Sequence, residues 1–141
     1  MSSLFLSLVT LLVPDYDQGI AFYRDKLGFT LREDTDMGNG KRWVVVSPSA
    51  ADKACAFLLA KATDEAQLAA VGKQTGSRVA FFLFCDDFEA TFAAFQRNGV
   101  EFCEAEPRRE AYGSVIVFRD PWGNKFDLMQ PAAVALKAKD E

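Results

Sequence analysis

Histidine is missing altogether from the 141 residues. That removes imidazole as a metal ligand, as a general base and as the activator of a serine or cysteine nucleophile. Cysteine is scarce: Cys55, Cys85 and Cys103 fall at no C-x-x-C spacing, so neither a disulfide framework nor a zinc knuckle is signalled. All three are expected to be small buried hydrophobes in a reducing cytosol. Basic charge is short as well. Sixteen Lys and Arg face 20 Asp and Glu, for a net charge of -4 and no basic cluster, which argues against nucleic acid as a partner. The apolar stretch over 4–13 is too short to span a bilayer. It also lacks the flanks of a signal peptide, and Pro14-Asp15 ends it as a turn ends a buried strand. A cytoplasmic protein with no membrane partner is expected. Gly38-Asn39-Gly40 lacks the lysine, strand and helix of a phosphate loop.

What is present is the material of a core. Half the residues are apolar and 13 are Phe, each contributing roughly 1.5–3 kcal/mol when fully buried. A single domain over 1–141 is expected, with module one at about 4–60, a connector at about 61–77, module two at about 78–130 and an Ala/Lys-rich tail at 131–141 that frays.

Residues 4–13 read as a strand. Asp15 or Asp17 then caps a helix carrying Ile20, Tyr23 and Leu27, with Phe22 beside them, and Gly28 stops it. Strands follow at 29–32, 43–46 and 54–59, the first two joined across 36–40, where Asn39-Gly40 signals a hairpin. A short helix at 63–71 ends at Gly72. The pattern then repeats. A Phe-rich strand at 78–85 leads to a helix capped by Asp86 or Asp87, with Phe88, Phe92 and Phe95 on one face and Gly99 at its end. Strands at 100–103, 114–119 and 124–129 complete it. Thirteen positions separate Asp15 from Gly28, and thirteen separate Asp86 from Gly99. The shared order of strand, capped helix, glycine stop and three strands reads as a duplicated βαβββ unit.

Val13-Pro14-Asp15, Ile20-Ala21-Phe22-Tyr23 and Leu27-Gly28-Phe29 resemble the first-module signature of the vicinal-oxygen-chelate superfamily (glyoxalase, bleomycin resistance protein and extradiol dioxygenase). Asn98-Gly99-Val100, Tyr112-Gly113 and Asp120-Pro121-Trp122-Gly123-Asn124 with Phe126-Asp127-Leu128 are similar to its second-module signature. The resemblance covers residues 4–130. It implies an α+β fold of two tandem βαβββ modules, their curved mixed sheet wrapped around a cleft, and a homodimer.

Metal-dependent members place ligands on the first and last strands of each module. By resemblance those positions are Leu8, Leu58 or Leu59, Ala80 and Asp127, of which only Asp127 can donate to a metal. A metal-ligand-deficient member with no metal and no cofactor is therefore expected.

If Leu8, Ala80 and Asp127 face the cleft, strand alternation adds Leu6, Thr10, Arg78, Phe82, Phe84, Lys125 and Met129. Asp127 is the tentative catalytic residue, as a general base, or the anchor of a cationic ligand; alternatively it pairs with Arg78 or Lys125. Arg78 would grip an anion or pair with Asp127. Trp43 would stack on a planar ligand or pack a core or dimer surface. Tyr112 would offer a hydroxyl, or is a plain loop residue. Gln74 belongs to the connector, and Arg108-Arg109-Glu110 reads as a solvated loop. The ligand-binding set is thus Leu8, Thr10, Trp43, Arg78, Ala80, Phe82, Tyr112 and Met129. The expected function is binding of a small organic molecule in an apolar, aromatic cleft. The alternative is a lyase, isomerase or dioxygenase-like enzyme that uses Asp127 or an unidentified metal site.

Overall fold

The computed structural model describes residues 2–51 and 53–132, and the chain divides into two units, Met1–Gly72 and Lys73–Glu141. In the first, β1 (Leu8–Val13) leads to α1 (Tyr16–Ile20), which continues as a π-helical turn over Ala21–Lys26. Then come β2 (Thr30–Gly38), β3 (Lys41–Ser47), β4 (Ala56–Lys61) and the short α2 (Glu65–Ala70). The sheet order is β1-β4-β3-β2, with β1 parallel to β4 and the other neighbours antiparallel. The second unit runs β5 (Val79–Phe84), α3 (Phe88–Arg97), β6 (Glu101–Phe102), β7 (Arg108–Glu110), β8 (Gly113–Arg119) and β9 (Lys125–Pro131). Its order is β5-β9-β8-β6, and β7 also pairs with β8. Each unit is a βαβββ module with a mixed sheet, β6 and β7 counting as two pieces of one interrupted strand along β8; this is the α+β architecture expected.

Period-two alternation sorts the side chains. In the first sheet Leu11, Val13, Val44, Val46 and Leu59 are fully buried on the face that carries the helix. Tyr23 and Phe57 meet there edge to face, ring centroids 5.7 Å apart. In the second, Phe118 stacks on Phe126 at 4.8 Å beneath α3, and Phe95 meets Phe118 at 5.2 Å.

The caps resolve the alternatives left open by the sequence. Asp15, not Asp17, caps α1 by accepting from the Gln18 N–H. Asp87, not Asp86, caps α3 by accepting from the Ala90 N–H. The two cap-to-glycine intervals therefore differ by one residue, thirteen positions in the first unit and twelve in the second. The π-helical turn absorbs the extra residue, as single-residue insertions in helices do. Its Leu27 N–H reaches back five residues to the Phe22 carbonyl, and the consecutive Phe22 and Tyr23 are both buried. Gly28 and Gly99 end their helices at φ of 80° and 78°, a conformation that favours glycine.

Several expectations need correction. β1 starts at Leu8 rather than residue 4, because its partner β4 begins at Ala56, opposite Leu8; Leu4, Phe5 and Leu6 are exposed. β2 runs on to Gly38, and the turn narrows to Asn39-Gly40. That extension is an edge strand of charged and polar residues, which protects an edge but leaves no apolar alternation to read. Arg108, Arg109 and Glu110 are a strand, β7, and not a loop. Cys55 and Cys103 are exposed and Cys85 half-buried; Cys55 precedes β4 and Cys103 follows β6. Pro131 closes β9; the rest of the expected tail, from 133, lies outside the described residues, as does Asp52 between β3 and β4.

Candidate functional site

Each sheet has a face without a helix, and the expected ligand-binding residues divide between the two faces. In the first unit, Thr10 pairs with Leu58 and Leu12 with Ala60, while Val45 lies opposite Leu58. Trp43, two residues from Val45, shares that face by alternation. Thr10, Leu12, Trp43, Leu58 and Ala60 line a cavity of about 560 Å³ that extends to Tyr16, Gln67 and the β2–β3 hairpin. Leu8 lines a shallower hollow beside Trp43 and Val45. The ambiguity between Leu58 and Leu59 is settled by register. Leu59 pairs with Leu11 and is fully buried on the helix side, so Leu58 is the residue on the open face.

At the cavity edge, the Arg42 guanidinium donates to Asp34 Oδ2 at 2.7 Å and to Asp17 Oδ1 at 2.9 Å. It also lies 5.3 Å from the centre of the Tyr16 ring. The bond from Arg42 holds the Asp34 carboxyl below its ordinary value.

In the second unit Phe82 pairs with Asp127 and Phe84 with Met129 across β5 and β9, and Val117 lies opposite Asp127 on β8. Phe82 and Phe84 are exposed, 64% and 48% respectively, so the face is apolar and open. Ala80 sits at the register shift between Val79 and Phe81. Arg78 is exposed at the foot of β5 and does not pair with Asp127. Lys125 does not either; its Nζ donates to the Ser77 carbonyl at 3.3 Å. Tyr112 is half exposed, and its phenol oxygen accepts from Arg108 Nη1 at 3.4 Å.

Asp127 has instead two neighbours that the sequence reading missed. Glu104 accepts from the Val117 N–H at 2.9 Å and from Arg108 Nε at 2.7 Å. Its carboxylate fills the ladder position between β6 and β7, which pair with the same edge of β8. Pro107 was the available signal: a proline interrupting a strand removes an N–H and invites a side chain into the gap. The Arg108 bond holds the Glu104 carboxyl low. Burial pushes the Asp127 carboxyl up; Arg108 pulls it back and Glu104 raises it further. Two carboxyls near one arginine are thus driven apart in acidity, a pattern associated with functional sites.

The shift makes Asp127 destabilising when ionised. The folded chain holds its proton more tightly than the unfolded one, so stability is lost as pH rises from the ordinary carboxylate range through the raised value. Asp127→Asn is expected to melt higher than the native protein at neutral pH, with the gap closing toward acid pH. Thermal denaturation across a pH series measures this, and a variant that melts lower at neutral pH would refute it.

A family model for the Glyoxalase/Bleomycin resistance protein/Dioxygenase superfamily matches residues 6–128. The chain belongs to that superfamily. It is similar to a protein from Shewanella frigidimarina, 43% identical over 123 residues that cover 86% of this chain and 90% of that one. Among solved structures it resembles UcmS2, with a TM-score of 0.77 and 33% identity over 91% of this chain and 98% of that one. It also resembles TnmS3, an antibiotic binding protein from Streptomyces sp. CB03234, with a TM-score of 0.74 and 29% identity over 94% and 99% of the two chains.

Superfamily membership raises the question of a metal, and the donor set answers it. Leu8, Leu58 and Ala80 offer no lone pair, and one carboxylate, Asp127, does not make a site for a transition metal that needs three or more protein ligands. Among the described residues no group of three or more His, Cys, Asp or Glu is arranged to hold a metal. The residues at these positions do not fit one. No helix among the described residues is long and apolar enough to cross a membrane.

Proposed function

We propose that this superfamily member binds a small organic molecule without a metal or other cofactor, the ligand lying on the helix-free face of the first sheet against Trp43. The cavity of about 560 Å³ lined by Thr10, Leu12, Trp43, Leu58 and Ala60 carries the reading. Its size falls in the usual range for ligand pockets, and it combines apolar side chains with polar ones, Thr10, Asn39, Lys41 and Gln67 among them, that can orient a ligand. The likeness to TnmS3, an antibiotic binding protein, supports binding as the activity. A cytoplasmic location and a homodimer belong to the same proposal; sedimentation velocity tests the dimer.

Trp43 supplies both buried area and stacking, so Trp43→Ala is expected to weaken a planar aromatic ligand by at least about tenfold. Calorimetric titration of a panel of aromatic compounds reads this. Equal affinities in the native protein and the variant would remove the ligand from the Trp43 face.

A second reading, an enzyme using Asp127 as acid or base, draws on the raised carboxyl beside Glu104 and Arg108. It requires a turnover whose pH profile follows one carboxyl group and which disappears in Asp127→Asn.

A further inference from the structure

The charge around the first unit's cavity runs against that of the chain. Net charge is -4 overall, yet among the described residues the cavity lining includes Lys41, Arg42 and Lys61 and no carboxylate. Arg42 is already committed to Asp34 and Asp17. Lys41 and Lys61 make no ion pair within 4.0 Å among the described residues. Lys41 stands two residues before Trp43 on the same strand and therefore on the same face of the sheet. Lys61, paired with Val13, has the opposite parity, but both residues end their strands, and Lys61 lines the cavity from the end of β4.

The polar groups of the cavity point the same way. Gln67 spends its carbonyl oxygen, which accepts from the Thr63 N–H at 2.8 Å and from Thr63 Oγ1 at 3.0 Å. What remains of that side chain is its amide NH2, a donor only. The cavity therefore offers an aromatic wall, two ammonium groups outside any ion pair among the described residues, and an amide donor. Apolar walls also strengthen the attraction of such charges by keeping field lines out of water.

We propose that this cavity selects a planar aromatic anion, such as an aromatic carboxylate, with the ring on Trp43 and the acidic group met by Lys41 and Lys61. The proposal rests on the reading that the cavity binds organic molecules, and it adds the charge class of the ligand. It departs from the cationic ligand expected for Asp127, which lies in the other unit.

The full chain carrying Trp122→Phe tests it, because Trp43 is then the only tryptophan and its fluorescence reports on this cavity. The Trp122 N–H bond to Asp120 is made by the backbone and survives the change. Three probes share one ring system and differ in charge: 2-naphthoate, neutral 2-naphthamide and 2-naphthylmethylammonium. Naphthoate is expected to quench Trp43 with an affinity at least about fivefold above that of naphthamide. That advantage should shrink at about 0.5 M salt, where charges are screened within a few ångströms. Lys41→Gln with Lys61→Gln should remove it, bringing naphthoate down to the affinity of naphthamide in the same variant, and a melting curve shows that the variant is folded. Equal affinity for all three probes, or preference for the ammonium compound, overturns the anion assignment and leaves the binding reading standing. Failure of every probe to alter Trp43 fluorescence overturns both.

Discussion

Asp120→Ala is expected to destabilise the protein by about 4 kcal/mol, because it strips the acceptor from several buried donors at once. Asp120 is 2% exposed. Its Oδ1 accepts from the N–H groups of Trp122, Gly123 and Asn124 at 3.0, 2.9 and 2.9 Å. Its Oδ2 accepts from Asn124 Nδ2 at 2.7 Å. This one carboxylate is the framework of the β8–β9 turn. Asp120→Asn keeps an acceptor for the backbone donors but sets one NH2 against another at Asn124, so about half the loss is expected, ~2 kcal/mol. Chemical denaturation of both variants measures the order. The effect reaches the site because the turn sets the register that pairs Val117 with Asp127. A slip of one residue would send Asp127 to the helix side of the sheet. An Asp120→Ala protein as stable as the native one would mean that the turn is held by something other than its carboxylate.

Gly113→Ala is expected to cost about as much, ~4 kcal/mol, through backbone strain and overpacking together. Gly113 opens β8 at a φ of 142°. A Cβ there would lie 2.2 Å from the Gln130 carbonyl oxygen and 2.9 Å from Pro131 Cα, both in the main chain of β9. Neither can swing aside as a side chain tip could. At Gly28, φ is also positive, but nothing lies within 4 Å of the added carbon, so Gly28→Ala should cost only about 1 kcal/mol. A melting temperature lower by roughly 15 °C for Gly113→Ala, against a few degrees for Gly28→Ala, is the expected contrast. Similar melting temperatures would show that β8 and β9 can separate locally at little cost. The Tyr112-Gly113 pair in the sequence thus marks a close approach of two strands.

The fold was legible where local chemistry and global structure agree. Apolar strands, aspartate caps, glycine stops and the Asn39-Gly40 turn each carry a local signal, and each fell close to its expected place. Signals failed where a partner decides. The start of β1 depends on where β4 starts, and β2 continues through Glu33, Asp34 and Asp36 because β3 offers it a ladder. The helix repeat looked identical by count, yet its two copies differ by one residue, taken up as a π-turn. The site was legible in part. Alternation brought Thr10 and Trp43 to one face and Phe82, Asp127 and Met129 to another. Glu104 and Arg108 were missed because their roles arise from a strand break that pairing alone reveals. Gln67 and Lys61 enter the cavity from segments that carry no motif.

The proposed binding rests on the protein's own side chains. Its most direct test is a calorimetric titration of an aromatic ligand into protein stripped with chelator, set beside the same protein resupplied in turn with zinc, nickel, manganese and ferrous iron. The stripped protein is predicted to bind with unchanged affinity, and none of the metals should improve it, since Leu8, Leu58 and Ala80 give a metal nothing to hold. Binding that is lost on stripping and restored by one of those metals would contradict the account and show a metal site built from other residues.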